Sequence, residues 1–173
     1  MGEPQNLDLS NLDAFGLSPR ARDIAQLVLH LFGTRTNIAA ELSVDTEDTV
    51  AEVIRVIPTK PDASAIGIWI YRQPVDDDQL IGISAGGGLY LNIPESAAHI
   101  STNTMDIILL IVGAIKAGRL VETVYTKRGI AYRWDAMLLT DRGEIKLNRT
   151  NLPRYFKGLF GKRVMKTTHY APY

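Results

Sequence analysis

Residues 104–149 read TMDIILLIVGAIKAGRLVETVYTKRGIAYRWDAMLLTDRGEIKLNR, and this stretch decides the fold. It opens on an apolar run over 107–115, broken only by Gly113 and ended by Lys116. Thr102, Asn103 or Thr104 suits the cap of a helix, Asp106 stands in its first turn, Lys116 in its last, and Gly118 stops it. The run is far shorter than the roughly 20 residues that cross a bilayer, so it reads as a buried helix over 104–117. Beyond Gly118 the pattern changes to strands at 120–126, 130–140 and 144–149. The turns between them are Lys127-Arg128-Gly129 and Asp141-Arg142-Gly143, with glycine where a hairpin bend takes it. Strands joined by turns this short must be antiparallel.

Upstream, 65–72, 80–84 and 89–93 read as three more strands. Gly86-Gly87-Gly88 is the turn between the last two, and Pro74 with Asp76-Asp77-Asp78 forms a loop before them. Near the start, Ser18 is an N-cap and Pro19 a first helical residue. Ile24, Leu27, Val28, Leu31 and Phe32 then keep the spacing of a one-sided helix over 19–32. Residues 47–57 are read as a second helix, because Val50, Val53, Ile54 and Ile57 also fit that spacing. The β-branched content of 50–57 keeps a strand as the alternative. A short helix over 38–42 is a further option. Residues 1–17 form a flexible arm whose leucines pack back on the body, and 152–160 a short helix before an irregular basic tail. The expected architecture is one α+β domain over 18–173, with helices on a single antiparallel sheet of about five to six strands.

Composition narrows the function. The chain has 173 residues and 46% hydrophobic content, enough to bury a substantial core and too apolar for a disordered chain. Without cysteine, disulfides, thiolate metal sites and a cysteine nucleophile are excluded. No basic start or apolar run marks a leader within 1–17, so a cytoplasmic location is expected, with no membrane partner. The net charge is zero but unevenly spread: 1–48 carry eight acids against three bases, and 142–173 carry eight bases against one acid.

No linked catalytic set is visible, no cofactor or metal motif accompanies the glycines, and the expectation is a protein that is not an enzyme. A phosphate loop needs a helix after its glycines, and strand-like Leu89-Tyr90-Leu91 follows here. His30, His99 and His169 show no ligand spacing; His30 lies near the buried stripe of the first helix, and His99 sits in a polar loop. Asp76, Asp77 and Asp78 do not match a calcium loop and form either a solvated turn or an acidic partner contact. Arg154, Lys157, Lys162 and Arg163, interleaved with Tyr155, Phe156 and Phe160, carry a nucleic-acid alternative, since bases neutralise phosphate and aromatic rings stack on unpaired bases. An enzyme with dispersed residues around His99, Arg133 and Asp135 is the third reading. Glu122, Asp135 and Glu144 lie on the strands or at their ends, but a carboxylate pair for glycoside chemistry needs a separation that spacing on different strands does not give, and exposed sheet faces commonly carry such residues.

The order of elements over 65–149, with the apolar helix at 105–117, then Gly118-Arg119-Leu120-Val121-Glu122-Thr123-Val124-Tyr125 and a meander with Arg-Gly turns, resembles small immunity proteins of bacterial polymorphic-toxin and contact-dependent growth inhibition systems. The resemblance rests on size and element order and carries over no residue role. It implies a cytoplasmic protein that binds one cognate toxin and blocks its active site. Apart from the resemblance, Asp76, Asp77 and Asp78 are the expected partner contact, because they are the one dense acidic cluster and lie in a loop, where partner contacts are commonly carried.

Overall fold

The structure, a computed structural model, describes residues 5–6, 12–32, 40–45, 51–71, 79–94, 101–150 and 162–173. Helix α1 (Pro19–Phe32) begins where its cap and proline place it. The Ser18 hydroxyl oxygen accepts the Ala21 N–H at 3.3 Å. A carboxylate at the third helical residue would normally take the N-cap N–H, but that residue is Ala21. Glu52 reaches in from a neighbouring strand instead. It accepts the Ser18 N–H at 2.9 Å and the Ser18 hydroxyl at 2.5 Å, so a buried negative charge sits at the helix's positive end. Ala21, Ile24, Ala25, Val28, Leu29 and Phe32 line the buried face, while Leu27 and Leu31 are half-buried. His30 faces away from that stripe: it is exposed, and its Nδ1 donates to the Gln26 carbonyl at 2.8 Å. Ahead of α1, a short 3-10 turn (Leu12–Phe15) tucks Leu12 under the body beside buried Leu17.

Among the described residues, 40–45 and 51–58 are strands, where helix was expected over 47–57 and was an option over 38–42. β1 (Gln5–Asn6), β2 (Ala40–Asp45), β3 (Ala51–Pro58), β4 (Ile66–Tyr71), β5 (Gln79–Ala85) and β6 (Leu89–Pro94) form one antiparallel sheet in sequence order. β3 lies between β2 and β4, and Val53, Ile54 and Val56 are buried although they point to opposite faces. A strand covered on both sides reads as a continuous apolar run, which satisfies helical spacing as well. β4 shows the simpler alternation, with Ile66, Ile68 and Ile70 buried.

Helix α2 (Ser101–Lys116) follows, and Gly118 at φ 71° ends it. The Arg119 N–H returns to Ala114 O and the Gly118 N–H to Ile115 O, the two bonds of a Schellman stop. β7 (Leu120–Lys127), β8 (Ile130–Thr140) and β9 (Gly143–Thr150) form the expected meander. Arg128 and Gly129 both take positive φ in the first turn, as a two-residue hairpin of the favoured twist requires. The meander does not join the first sheet, so the expected single sheet is in fact two, of six and four strands. The fourth strand of the second sheet is β10 (Arg163–His169), which pairs with β7 in the order β10-β7-β8-β9. It replaces the irregular end expected there. The proposed helix at 152–160 lies outside the described residues.

One apolar core serves both sheets. It combines Ile24 and Val28 of α1, Ile108, Val112 and Ile115 of α2, Ile54, Ile68 and Ile83 of the first sheet, and Leu120, Ala136 and Leu138 of the second. α1 lies against α2, and α2 against β8. Residues 170–173 then cross over the assembly. Ala171 N–H bonds Asp62 O, Tyr173 N–H bonds Lys116 O, and the Tyr173 ring lies 4.9 Å from that of Phe32.

Val112 has 0% exposure at the centre of this core. Val112→Asp puts an unpaired charge there at a cost of several kcal/mol. The variant is expected to lose its cooperative thermal transition in circular dichroism; an unchanged melting temperature would take α2 out of the core.

Candidate functional site

β7 is the central strand of the site, because its alternate residues serve opposite faces of the second sheet. Leu120 and Glu122 point inward, and Thr123 and Tyr125 outward. On the outer face, Tyr125 stands opposite Arg133 of β8 and Met165 of β10. Arg133 forms a two-pronged bond to Asp135, with Nε at 2.8 Å and Nη2 at 2.9 Å, and the Tyr125 hydroxyl donates to the same carboxylate at 2.7 Å. The Arg133 guanidinium lies 5.0 Å from the Tyr125 ring centre, and that of Arg163 lies 4.5 Å from it. The ring is therefore flanked by cations from the strands on either side of β7.

Titration follows this geometry. Burial pushes the Asp135 carboxyl up, but the hydrogen bonds from Arg133 and Tyr125 and the charges of Arg133 and Arg163 outweigh it, so it lies below the ordinary carboxylate value. Its hydrogen bond to Asp135 pushes the Tyr125 hydroxyl above its ordinary value; burial and the Asp135 charge add to this, and the two arginines oppose it. A carboxylate this well satisfied is a poor base, and a phenol held protonated is a poor nucleophile. The cluster is built as a stiff, charged aromatic surface. Beside it, Val121, Thr123, Asp135, Met137, Lys146 and Asn148 line a shallow depression of about 390 Å³.

On the inner face, Glu122 is 4% exposed and meets the glycine turn of the first sheet. Its Oε2 accepts the Gly87 N–H at 3.1 Å and the Tyr170 hydroxyl at 2.9 Å. Gly86 N–H donates to Ser64 Oγ at 2.8 Å. Burial pushes the Tyr170 hydroxyl well above its ordinary value, and the hydrogen bond and charge of Glu122 push it further. Glu122 Oε1 has no hydrogen-bond partner among the described residues. Gly88 is explained by this carboxylate, since a Cβ there would lie 2.5 Å from Glu122 Oε1 and 2.8 Å from Trp134 Cβ, while Gly86 takes φ 57° beside the Tyr170 hydroxyl. The turn is a hairpin turn, and a side chain of the protein itself takes the place an anion would fill.

The residues singled out in the sequence are distributed unevenly. Arg133 and Asp135 come together. Arg163 joins them on the outer face, and Lys162 precedes it as an exposed residue. Glu144 is far from Asp135 in role, paired with Lys146 at 2.6 Å on the sheet's edge strand. His169 is exposed on β10. Asp76, Asp77, Asp78, His99, Arg154 and Lys157 lie outside the described residues. Among the described residues, no three His, Asp or Glu side chains gather as a metal site. No helix of the described residues is long and apolar enough to cross a membrane. Sequence reading missed Tyr125 as a site residue and weighed Glu122 only as a possible catalytic carboxylate, not as a tie to the glycine turn. Their only local signal was alternation along β7, with a polar residue at an inward position. Comparison with protein-family models, with curated proteins and with solved structures finds no match.

Two tests follow from the two faces. Gly88→Ala is expected to destabilise by about 1–3 kcal/mol through overpacking. Gly113→Ala, where nothing lies within 4 Å of the added Cβ, is expected to stabilise by about 0.5–1 kcal/mol. Urea midpoints check both, and equal effects would contradict the glycine-turn contact. For the outer face, the lowered native value of Asp135 means its stabilisation is present above about pH 4 and is lost as pH falls through that native value. Asp135→Asn should flatten the acid limb of the stability curve. It should also let Tyr125 ionise closer to the ordinary value of 10.0 in an ultraviolet titration. Unchanged curves would remove the Tyr125–Asp135 bond from solution.

Proposed function

We propose that this chain is a protein-binding module and that the outer face of the second sheet is its contact surface. The observation that carries this reading is the Tyr125 cluster, an aromatic ring fixed between two guanidinium groups on an exposed sheet face. Met165, 62% exposed, stands directly beside it. Tyrosine, arginine and methionine are enriched at protein contacts, and tyrosine and arginine most often dominate their energy. A side chain already fixed loses little entropy on binding, which favours such a cluster over a loose one. The arrangement gives less support to stacking on nucleic acid, because the faces of the Tyr125 ring are already taken by arginines.

In its specific form the reading is an immunity-type inhibitor of a bacterial toxin, which the element order over 65–149 supports. The test expresses the toxin domain encoded beside this chain with and without it. Cells are expected to survive only when both are present, and the purified pair to associate. Tyr125→Ala should weaken that association by about 2 kcal/mol or more, as loss of a central anchor does, without lowering solubility. Equal killing and no association would contradict the immunity form. Association unaffected by Tyr125→Ala would move the contact off this face.

A further inference from the structure

We propose that the free edge of β10 takes up an extended acidic segment of a partner protein as a fifth strand of the second sheet. The proposal rests on the protein-binding reading and names the chemistry of what is bound. β10 is the outermost strand of its sheet among the described residues, pairing with β7 along all seven of its residues. Every second residue of such a strand turns its N–H and C=O away from the sheet, and these groups form a template for another strand. The side chains on this edge are exposed too: Val164 at 54% and Met165 at 62%, one on each face of the strand. No proline or glycine interrupts Arg163-Val164-Met165-Lys166-Thr167-Thr168-His169. Proteins usually blunt an exposed edge with proline, bulges or charge, and here only charge is used.

The sign of that charge selects the occupant. Lys162, Arg163 and Lys166 lie along the edge, and Arg128 is exposed in the adjoining β7–β8 turn. Arg163 is held on the Tyr125 ring and makes no ion pair among the described residues, and a guanidinium held in this way can take a carboxylate through two parallel N–H bonds. An acidic strand would place carboxylates three positions apart, one toward Arg163 on one face and one toward Lys166 on the other, while the apolar residues between them cover Met165 and Val164. A second copy of this chain is the poorer occupant. An antiparallel pair of β10 strands centred on Lys166 would set ammonium against ammonium and Arg163 against His169. Main-chain bonding would give the affinity, and the charged and apolar side chains the selectivity.

The test uses the full chain and a fluorescein-labelled peptide of about ten residues, enough to span a strand, with glutamates three residues apart and valine and threonine between them. Fluorescence polarisation is expected to show saturable binding, with slowed amide exchange along β10. A peptide with lysine for glutamate, and one N-methylated at alternate residues, should not bind. Arg163→Glu with Lys166→Glu should weaken binding about tenfold or more, the loss of roughly 1.4 kcal/mol. Both residues are exposed, so a retained thermal transition separates lost binding from lost folding. Absence of binding by the glutamate peptide overturns the proposal. So does equal binding of the N-methylated peptide, which would leave charge alone as the cause. Tighter binding of a single-stranded oligothymidylate, lost in the same double variant, would also overturn it and assign the edge to nucleic acid. Failure here, with Tyr125→Ala still weakening association with a toxin, would leave the protein-binding reading standing and remove only the strand addition.

Discussion

The buried carboxylate of Glu122 ties the two sheets together. It projects from β7 in the second sheet, takes a backbone N–H from the glycine turn of the first, and takes the hydroxyl of Tyr170 from the segment that crosses both. Hydrogen bonds to a charged acceptor are about twice as strong as neutral ones, and burial strengthens them further. Burial also makes the charge costly unless such bonds are kept. The position is therefore demanding: it needs a glycine at 88, a turn that aims the Gly87 N–H inward, and the crossing segment closed over the top. Glu52 plays a related part at the other end of the core, where its carboxylate completes the cap of α1.

What was legible in the sequence is what local chemistry decides. α1 declared itself through Ser18, Pro19 and a one-sided stripe. α2 did so through its apolar run and Gly118, and the β7–β8–β9 meander through its turns. Each needs only residues within a few positions. β3 was misread because a strand covered on both faces leaves no alternation to see. β10 was missed because Val164 and Met165 are adjacent and its pairing partner lies far back in the chain. The separation into two sheets was equally invisible, since short turns fix neighbours but not which sheet a later hairpin joins.

The site followed the same rule. Arg133 and Asp135 were close in sequence and proved to be bonded, two positions apart on one face of β8. Tyr125, which completes that cluster, is reached only across the β7–β8 ladder. Glu122 is separated by 35 residues from Gly87 and by 48 from Tyr170. No pattern in the chain announces such partners. The glycine triplet was the one visible trace, and it read as a turn without showing what crowded it.

β7 thus links the architecture to the proposed contact face, with Glu122 anchored beneath it and Tyr125 presented above. A platform anchored in this way can hold its side chains ready for a partner rather than ordering them on binding. The most direct measurement is amide hydrogen exchange at Gly87, followed by nuclear magnetic resonance. Gly87 is exposed and sits in a hairpin turn, where an unprotected amide exchanges fast. Its bond to a buried carboxylate predicts exchange slowed to a rate close to that of the β7 core amides. Exchange at the rate of an open turn would contradict the tie between the sheets.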